Sequence, residues 1–304
     1  MVYLDIMVLN EQQTFVPQPR FPHLESDTVS FHRQIREFGA LICKGPGVMG
    51  NGPVYAMPAD ASRADTAERI EEIKGEARKG RPLALTIPFE SFLSQVNTSY
   101  IKDSRLQNLL QNPSLATYRF GGWAFIRMAA SRAARHEMPE CVVSKENGTI
   151  QNFSPVGHAT ALKFLGSATR AGVRLPVMTS ANPSRKPEYV DEQAAQEFAK
   201  EHNLPFLPNT PSWAERSKPK GSYPVLEVTA GSLKVVRQGF LSRELIEGLL
   251  SDLPVEWPEE VKESNYPDSI LTLHDLSAPE RSLRGAELRR AVLHHVIYGT
   301  PGTM

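Results

Sequence analysis

A mixed α/β domain, one twisted sheet with flanking helices, is the fold class the sequence predicts. Short apolar runs bounded by glycine, proline and asparagine alternate with segments of helical period, which is the order that builds α/β folds. None of those runs reaches the ~18 apolar residues of a membrane-spanning helix, so no membrane partner is expected. With 304 residues of which 40 % are hydrophobic, the chain can bury a substantial core.

The elements follow in chain order. Residues 1–25 hold three prolines in PQPRFP and no period, which predicts an extended arm. From Asp27, the near-helical spacing of Val29, Ile35 and Phe38 predicts a helix, with Gly39 as its C-cap before a strand ALIC. Gly45 to Gly50 formally match G-x-G-x-x-G, but Pro46 removes an N–H and no amphipathic helix follows directly. A flexible glycine loop is expected there. Ser62 is the expected N-cap of a helix whose stripe is Ala64, Ala67, Ile70, Ile73 and Ala77. PLALTI, WAFIRMAA from Trp123 and GTIQNF from Gly148 read as strands, and Pro155 opens a helix to about Ala171. Pro176 to Met178 form a strand that breaks at Asn182-Pro183, because proline disfavours helical geometry in the residue before it. A helix from Asp191 to His202, a strand LPFLP and a hairpin complete the domain, which spans 26–250. Residues 251–304 form a proline- and acid-rich tail with a helix around Arg281 to Tyr298, expected to dock or to contact another subunit.

Charge narrows the partners. Thirty-four basic and thirty-four acidic residues cancel, so the chain as a whole lacks an electrostatic footprint for nucleic acid. Arg127, Arg132, Arg135 and His136 form a local basic cluster, either a solvated face or an RNA contact. Cys43 and Cys141, the only cysteines, are too few for a disulfide framework and lack metal-site spacing; both read as small buried hydrophobes. The N-terminus MVYLDIMVLNEQQ has neither the charged start nor the sustained apolar core of a signal peptide, so cytoplasmic residence is expected.

The most specific signal is PVMTSANPSRKP at 176–187, which presents a serine and an asparagine two residues apart at a strand end, where open α/β sheets collect ligands. Their hydroxyl and amide can hold a polar ligand without charge. This stretch resembles the TSANPSG signature of the threonylcarbamoyl-adenylate synthase, or YrdC-like, family. PVYAMPADAS (53–62), AERIEEIKG (67–75), RPLALTI (81–87) and YPVLEVTAGSLKVVRQG (223–239) are similar to further family segments in the same order. The resemblance covers roughly residues 27 to 250. It implies a YrdC-like twisted mixed sheet with a concave ligand cavity, and an enzyme that joins ATP, L-threonine and bicarbonate, with Mg²⁺ on the phosphates, in the service of tRNA modification. Carried over by position, Lys74, Ser180 and Asn182 would be catalytic. Tyr55, Thr179, Arg237 and one of Arg78 or Arg81 would bind substrate, and no protein-held metal is implied.

The chain departs from the family pattern at several of these places. Glu76 stands where the family's KxR arginine belongs, and a glutamate there repels an anion. Gly50-Asn51-Gly52-Pro53 replace PT[DE]T, Asn152 stands near a family arginine, RFGGWAF from Arg119 replaces WPGPLT, and Arg185 replaces the glycine after SANPS. Each charge-assisted hydrogen bond so lost is worth ~1.5–3 kcal/mol. The expectation is therefore a divergent enzyme acting on a small, L-threonine-like acid, either with ATP and Mg²⁺ or repurposed without them. A non-catalytic YrdC-like module for RNA or a protein partner is the alternative.

Overall fold

Residues 25–75, 78, 80–209, 216–298 and 300–301 are described by a computed structural model; the expected arm at 1–25 lies outside them except for Glu25, which opens the first helix, and Glu76 lies outside them as well. The chain opens with α1 (Glu25–Ile42), β1 (Val48–Asn51), β2 (Val54–Asp60), α2 (Thr66–Lys74), β3 (Ala84–Leu85), α3 (Phe89–Leu93), α4 (Ser104–Leu110) and α5 (Pro113–Phe120). It continues through β4 (Phe125–Ala129), α6 (Arg132–Glu137), β5 (Thr149–Phe153), α7 (Ala159–Arg170), β6 (Pro176–Ser180), α8 (Glu192–Glu201), β7 (Phe206–Leu207) and β8 (Arg216–Lys218). Last come β9 (Val225–Val228), β10 (Leu233–Arg237), α9 (Arg243–Leu249), β11 (Val255–Glu256), α10 (Gly285–Tyr298) and β12 (Thr300–Pro301).

Ten of the described strands form one mixed sheet in the order β11-β10-β9-β4-β5-β3-β6-β2-β1-β7, while β8 pairs with β12. Register assigns its two faces, because side chains alternate along a strand and paired residues share a side. Ala56 opposite Ser180, Ala84 opposite Met178, Arg127 opposite Gln151 and Phe125 opposite Val225 therefore lie on one face. Met57, Leu85, Val177 and Leu226 lie on the other, each no more than 1 % exposed.

Three local expectations are corrected. Gly39 does not cap α1; the helix runs through it and takes up the first three residues of the expected strand ALIC, ending at Ile42. A Cβ at Gly39 would come within 2.8 Å of Ser167 Cβ on α7, so the glycine allows two helices to approach closely. Ile35, Phe38 and Ile42 then pack with Phe164 and Ala168 in a second, smaller core. The helix expected from Ser62 starts at Thr66 after Asp65. Gly45 to Gly52 is not a flexible loop but the approach and turn of the β1–β2 hairpin, where a Cβ at Gly50 would strike Asn209 at 2.5 Å.

The segment after residue 250 packs into the main core, to which it contributes Leu271, Leu276, Leu288, Val292 and Val296. Both cysteines are half-buried and free.

His158, just ahead of α7, is buried, and its Nε2 donates to the Gly122 carbonyl at 2.7 Å. Burial lowers its pKa from 6.5 to about 4, with Arg289 acting in the same direction. The unfolded chain therefore takes up this proton first as pH falls. Stability that is fully present above pH 6.5 is lost towards pH 4, by about 3 kcal/mol. Urea unfolding at pH 7 and pH 4.5 should show a larger acid loss in the wild type than in His158→Gln. Equal losses would place the acid sensitivity elsewhere.

Candidate anion-binding site

A cavity of ≈ 120 Å³ opens on the Ala56/Ser180 face of the sheet. Val54, Ala56, Ala84, Phe125 and Met178 give it apolar walls. Asn51, Gln151, Thr179, Ser180, Ser222 and Arg237 supply its polar groups. It thus spans residues of β1, β2, β3, β4, β5, β6 and β10. Tyr223 closes one side, buried at 1 % exposure, with its hydroxyl donating to the Asn51 carbonyl at 2.9 Å. A larger groove of ≈ 450 Å³ lies by α1 and α2, away from every expected site residue. Its Arg69 is already paired with Glu72 and donates to the His202 carbonyl.

A β-bulge aims Arg237. Val235 pairs with Leu226, and after a register shift Arg237 pairs with Val225. Regular alternation would leave residues 235 and 237 on the same face. The extra residue, Val236, turns Arg237 to the opposite side, where it joins Phe125 and lines the cavity. Its Nε donates to the Tyr223 carbonyl at 3.0 Å, and no acid pairs with it among the described residues. Burial lowers its pKa to about 10, Glu188 opposing and Arg127 adding to the fall. A guanidinium has five N–H donors, so most of this one remains available to a ligand.

Of the expected site residues, Thr179, Ser180 and Arg237 share the cavity, while Lys74 and Asn182 stand behind it. Lys74 Nζ donates to the Ser180 carbonyl at 2.5 Å, the Asn182 carbonyl at 2.6 Å and Asn182 Oδ1 at 3.1 Å. Burial, then Arg78 and Arg81, push its pKa down to about 7, against the pull of Glu188. Three acceptors need three N–H donors, which only the ammonium supplies, so the geometry favours the charged form. Asn182 spends its amide nitrogen on the Lys186 carbonyl at 2.6 Å. Both residues therefore hold the turn, and the direct ligand contact expected of them is corrected to support of Ser180. The same turn places Arg185 at φ 66°, the left-handed geometry that favours glycine.

Tyr55 is also corrected. It alternates with Val54 and Ala56, so it faces away from the cavity, donates to Glu192 Oε2 at 3.0 Å and stacks on Phe206. Burial, with Glu192 beside it, raises the phenol's pKa. Arg78 is buried and donates to the Pro82 carbonyl at 3.1 Å, with burial lowering its pKa to about 10. Arg81 is exposed. Neither lines the cavity, although both add positive field at Lys74. Asn152 clamps the Ile87 backbone through two 3.1 Å hydrogen bonds on the opposite face; its neighbour Gln151 is the cavity residue.

Sequence reasoning missed Glu188. It is 5 % exposed, accepts from the Ser222 N–H at 2.6 Å and from Asn265 Nδ2, while Tyr266 donates to its carbonyl. Burial alone would raise its pKa, but these hydrogen bonds outweigh burial and hold it below the usual carboxylate range. It is the acid whose field reaches both Lys74 and Arg237.

ATP with Mg²⁺ does not fit this cavity as it stands. The ≈ 120 Å³ volume is below the ~300–1,000 Å³ of ordinary ligand pockets, and Lys74 is committed to the turn.

The fold is that of the YrdC-like proteins. P. abyssi Sua5 complexed with L-threonine matches with a TM-score of 0.56 and 20 % identity over 74 % of this chain and 59 % of that one. A double-alanine variant of P. abyssi Sua5 matches with 0.55 and 21 % over 74 % and 62 %. E. coli YciO matches with 0.50 and 18 % over 68 % and 90 %. The chain thus spans about three fifths of the Sua5 proteins' length. No family model and no curated protein matches it.

Proposed function

We propose that this chain binds a small, L-threonine-like acid in the sheet cavity and acts on it as a divergent YrdC-like enzyme. The observation that carries the reading is Arg237, a cation turned into the cavity by a bulge and left without an acid partner among the described residues. Arg237 is half-buried, and a partly desolvated charge without a counter-ion is costly, a cost that an anionic ligand relieves. The Ser180 hydroxyl supplies an uncharged hydrogen bond beside it, and the apolar walls accept a short side chain. The L-threonine complex of P. abyssi Sua5, which shares the fold, favours an acid of that size. No step through ATP is part of the reading, so a chemistry repurposed from the synthase reaction is favoured.

Ser180→Ala should weaken calorimetric binding of L-threonine about tenfold, a loss of ~1.4 kcal/mol, with unfolding changed by less than ~0.5 kcal/mol. Unchanged affinity would remove Ser180 from the site. The basic cluster that the RNA alternative needs is split, with Arg132, Arg135 and His136 exposed on α6 and Arg127 in the sheet. Arg127 lies in the sheet facing Glu227, whereas Arg135 on α6 donates to the Ala130 carbonyl.

A further inference from the structure

Arg127 shares a strand and a face with Phe125, two residues earlier, and Phe125 lines the cavity. The register sets Lys234, Glu227, Arg127 and Gln151 in one row across β10, β9, β4 and β5. Arg127 is held loosely in that row. One terminal nitrogen stands 3.5 Å from Glu227 Oε2, well beyond the ~2.7–2.9 Å of a good charge-assisted bond, and the other donates to Gln151 Oε1 at 3.1 Å. About a quarter of the side chain, 27 %, remains exposed. Gln151 itself lines the cavity, and its amide nitrogen has no protein partner among the described residues. Glu227 also faces Lys234 across the ladder, so it retains a cationic neighbour if Arg127 turns to a ligand. Arg127 stands next to the lining residues Phe125 and Gln151 and is not itself part of the lining; its charge adds to the fall in the Arg237 pKa.

We propose that Arg127 and Gln151 form a second anion subsite beside Arg237, so that the cavity prefers a small acid carrying two oxyanion groups, carboxylate or phosphate, over an acid carrying one. This rests on the anion-cavity reading above and names its ligand class more closely. The guanidinium fork suits either oxyanion, since both present paired acceptor oxygens. Glu227 would act as the resident counter-ion that such a ligand displaces.

Calorimetric titration of the full chain with propionate, succinate and 3-phosphonopropionate tests this. The wild type should bind at least one of the two dianions tenfold or more tightly than propionate, and which one does so separates a carboxylate from a phosphate-type second group. Arg127→Met should bring the ratio of dianion to propionate affinity close to one. Glu227→Gln should raise that ratio severalfold, a gain that a merely structural role for Arg127 would not produce. A wild-type ratio near one, or a ratio that survives Arg127→Met, would overturn the second subsite while leaving the cavity reading standing. Failure of all three acids to bind would overturn both.

Discussion

Replacing Arg237 by methionine should abolish binding of small acids, with at least a hundredfold loss, without destabilising the fold. Removing the charged partner of a desolvated anion costs ~2–5 kcal/mol of affinity. Stability should behave differently. In the free chain the guanidinium is sunk beside Tyr223 with burial lowering its pKa, and Arg127 adds repulsion. Methionine removes that penalty at the expense of one charge-assisted hydrogen bond to the Tyr223 carbonyl, worth ~1.5–3 kcal/mol. Unfolding free energy should therefore stay level or rise by up to about 2 kcal/mol. Urea unfolding and calorimetry on the same preparation read both quantities. Arg237→Met that unfolds more easily yet still binds would make the arginine a structural post.

Lys74→Met should have the opposite signature, with stability and binding lost together. Its ammonium ties two carbonyls and one side-chain oxygen of the 180–186 turn, all at 3.1 Å or less. Methionine fills the space but leaves three acceptors unmet, at ~1–3 kcal/mol for each that water cannot reach. A total loss on the order of 3–5 kcal/mol follows, and Ser180 loses its support with it. Lysine's three donors radiate from one atom, so Lys74→Arg should not restore the turn with its flat fork. Full stability in Lys74→Met would show that the turn is held by other means.

Much of the sheet was legible because its strands are short apolar runs with clear punctuation; β4, β5, β6 and the β9–β10 hairpin fall where the pattern puts them. Glycines misled because one residue type answers two needs. Gly39 serves helix contact and not helix termination, and the difference depends on Ser167, far along the chain. The cavity was half legible. The TSANPS motif carries Ser180 to the cavity face by simple strand alternation, while Thr179, paired with Met57, borders it from the other side of the strand. Lys74 and Asn182 carry the right chemistry but spend it on the turn, which only distances reveal. Tyr55 required the register of β2 to show that it points away. Arg237 reaches the cavity through a bulge that no alternation pattern announces. Glu188 had no signal at all, since its partners Ser222 and Asn265 lie 34 and 77 residues away.

The most direct test is a calorimetric titration of the full chain with L-threonine in the absence of nucleotide, repeated after adding Mg²⁺, ATP and bicarbonate while pyrophosphate is followed. Binding of the acid at one site without nucleotide, lost in Arg237→Met, is the result expected of a cavity already shaped and charged for a small anion. Binding that appears only with Mg²⁺ and ATP, accompanied by threonine-dependent pyrophosphate release, would contradict it and mean that this cavity opens to take a triphosphate.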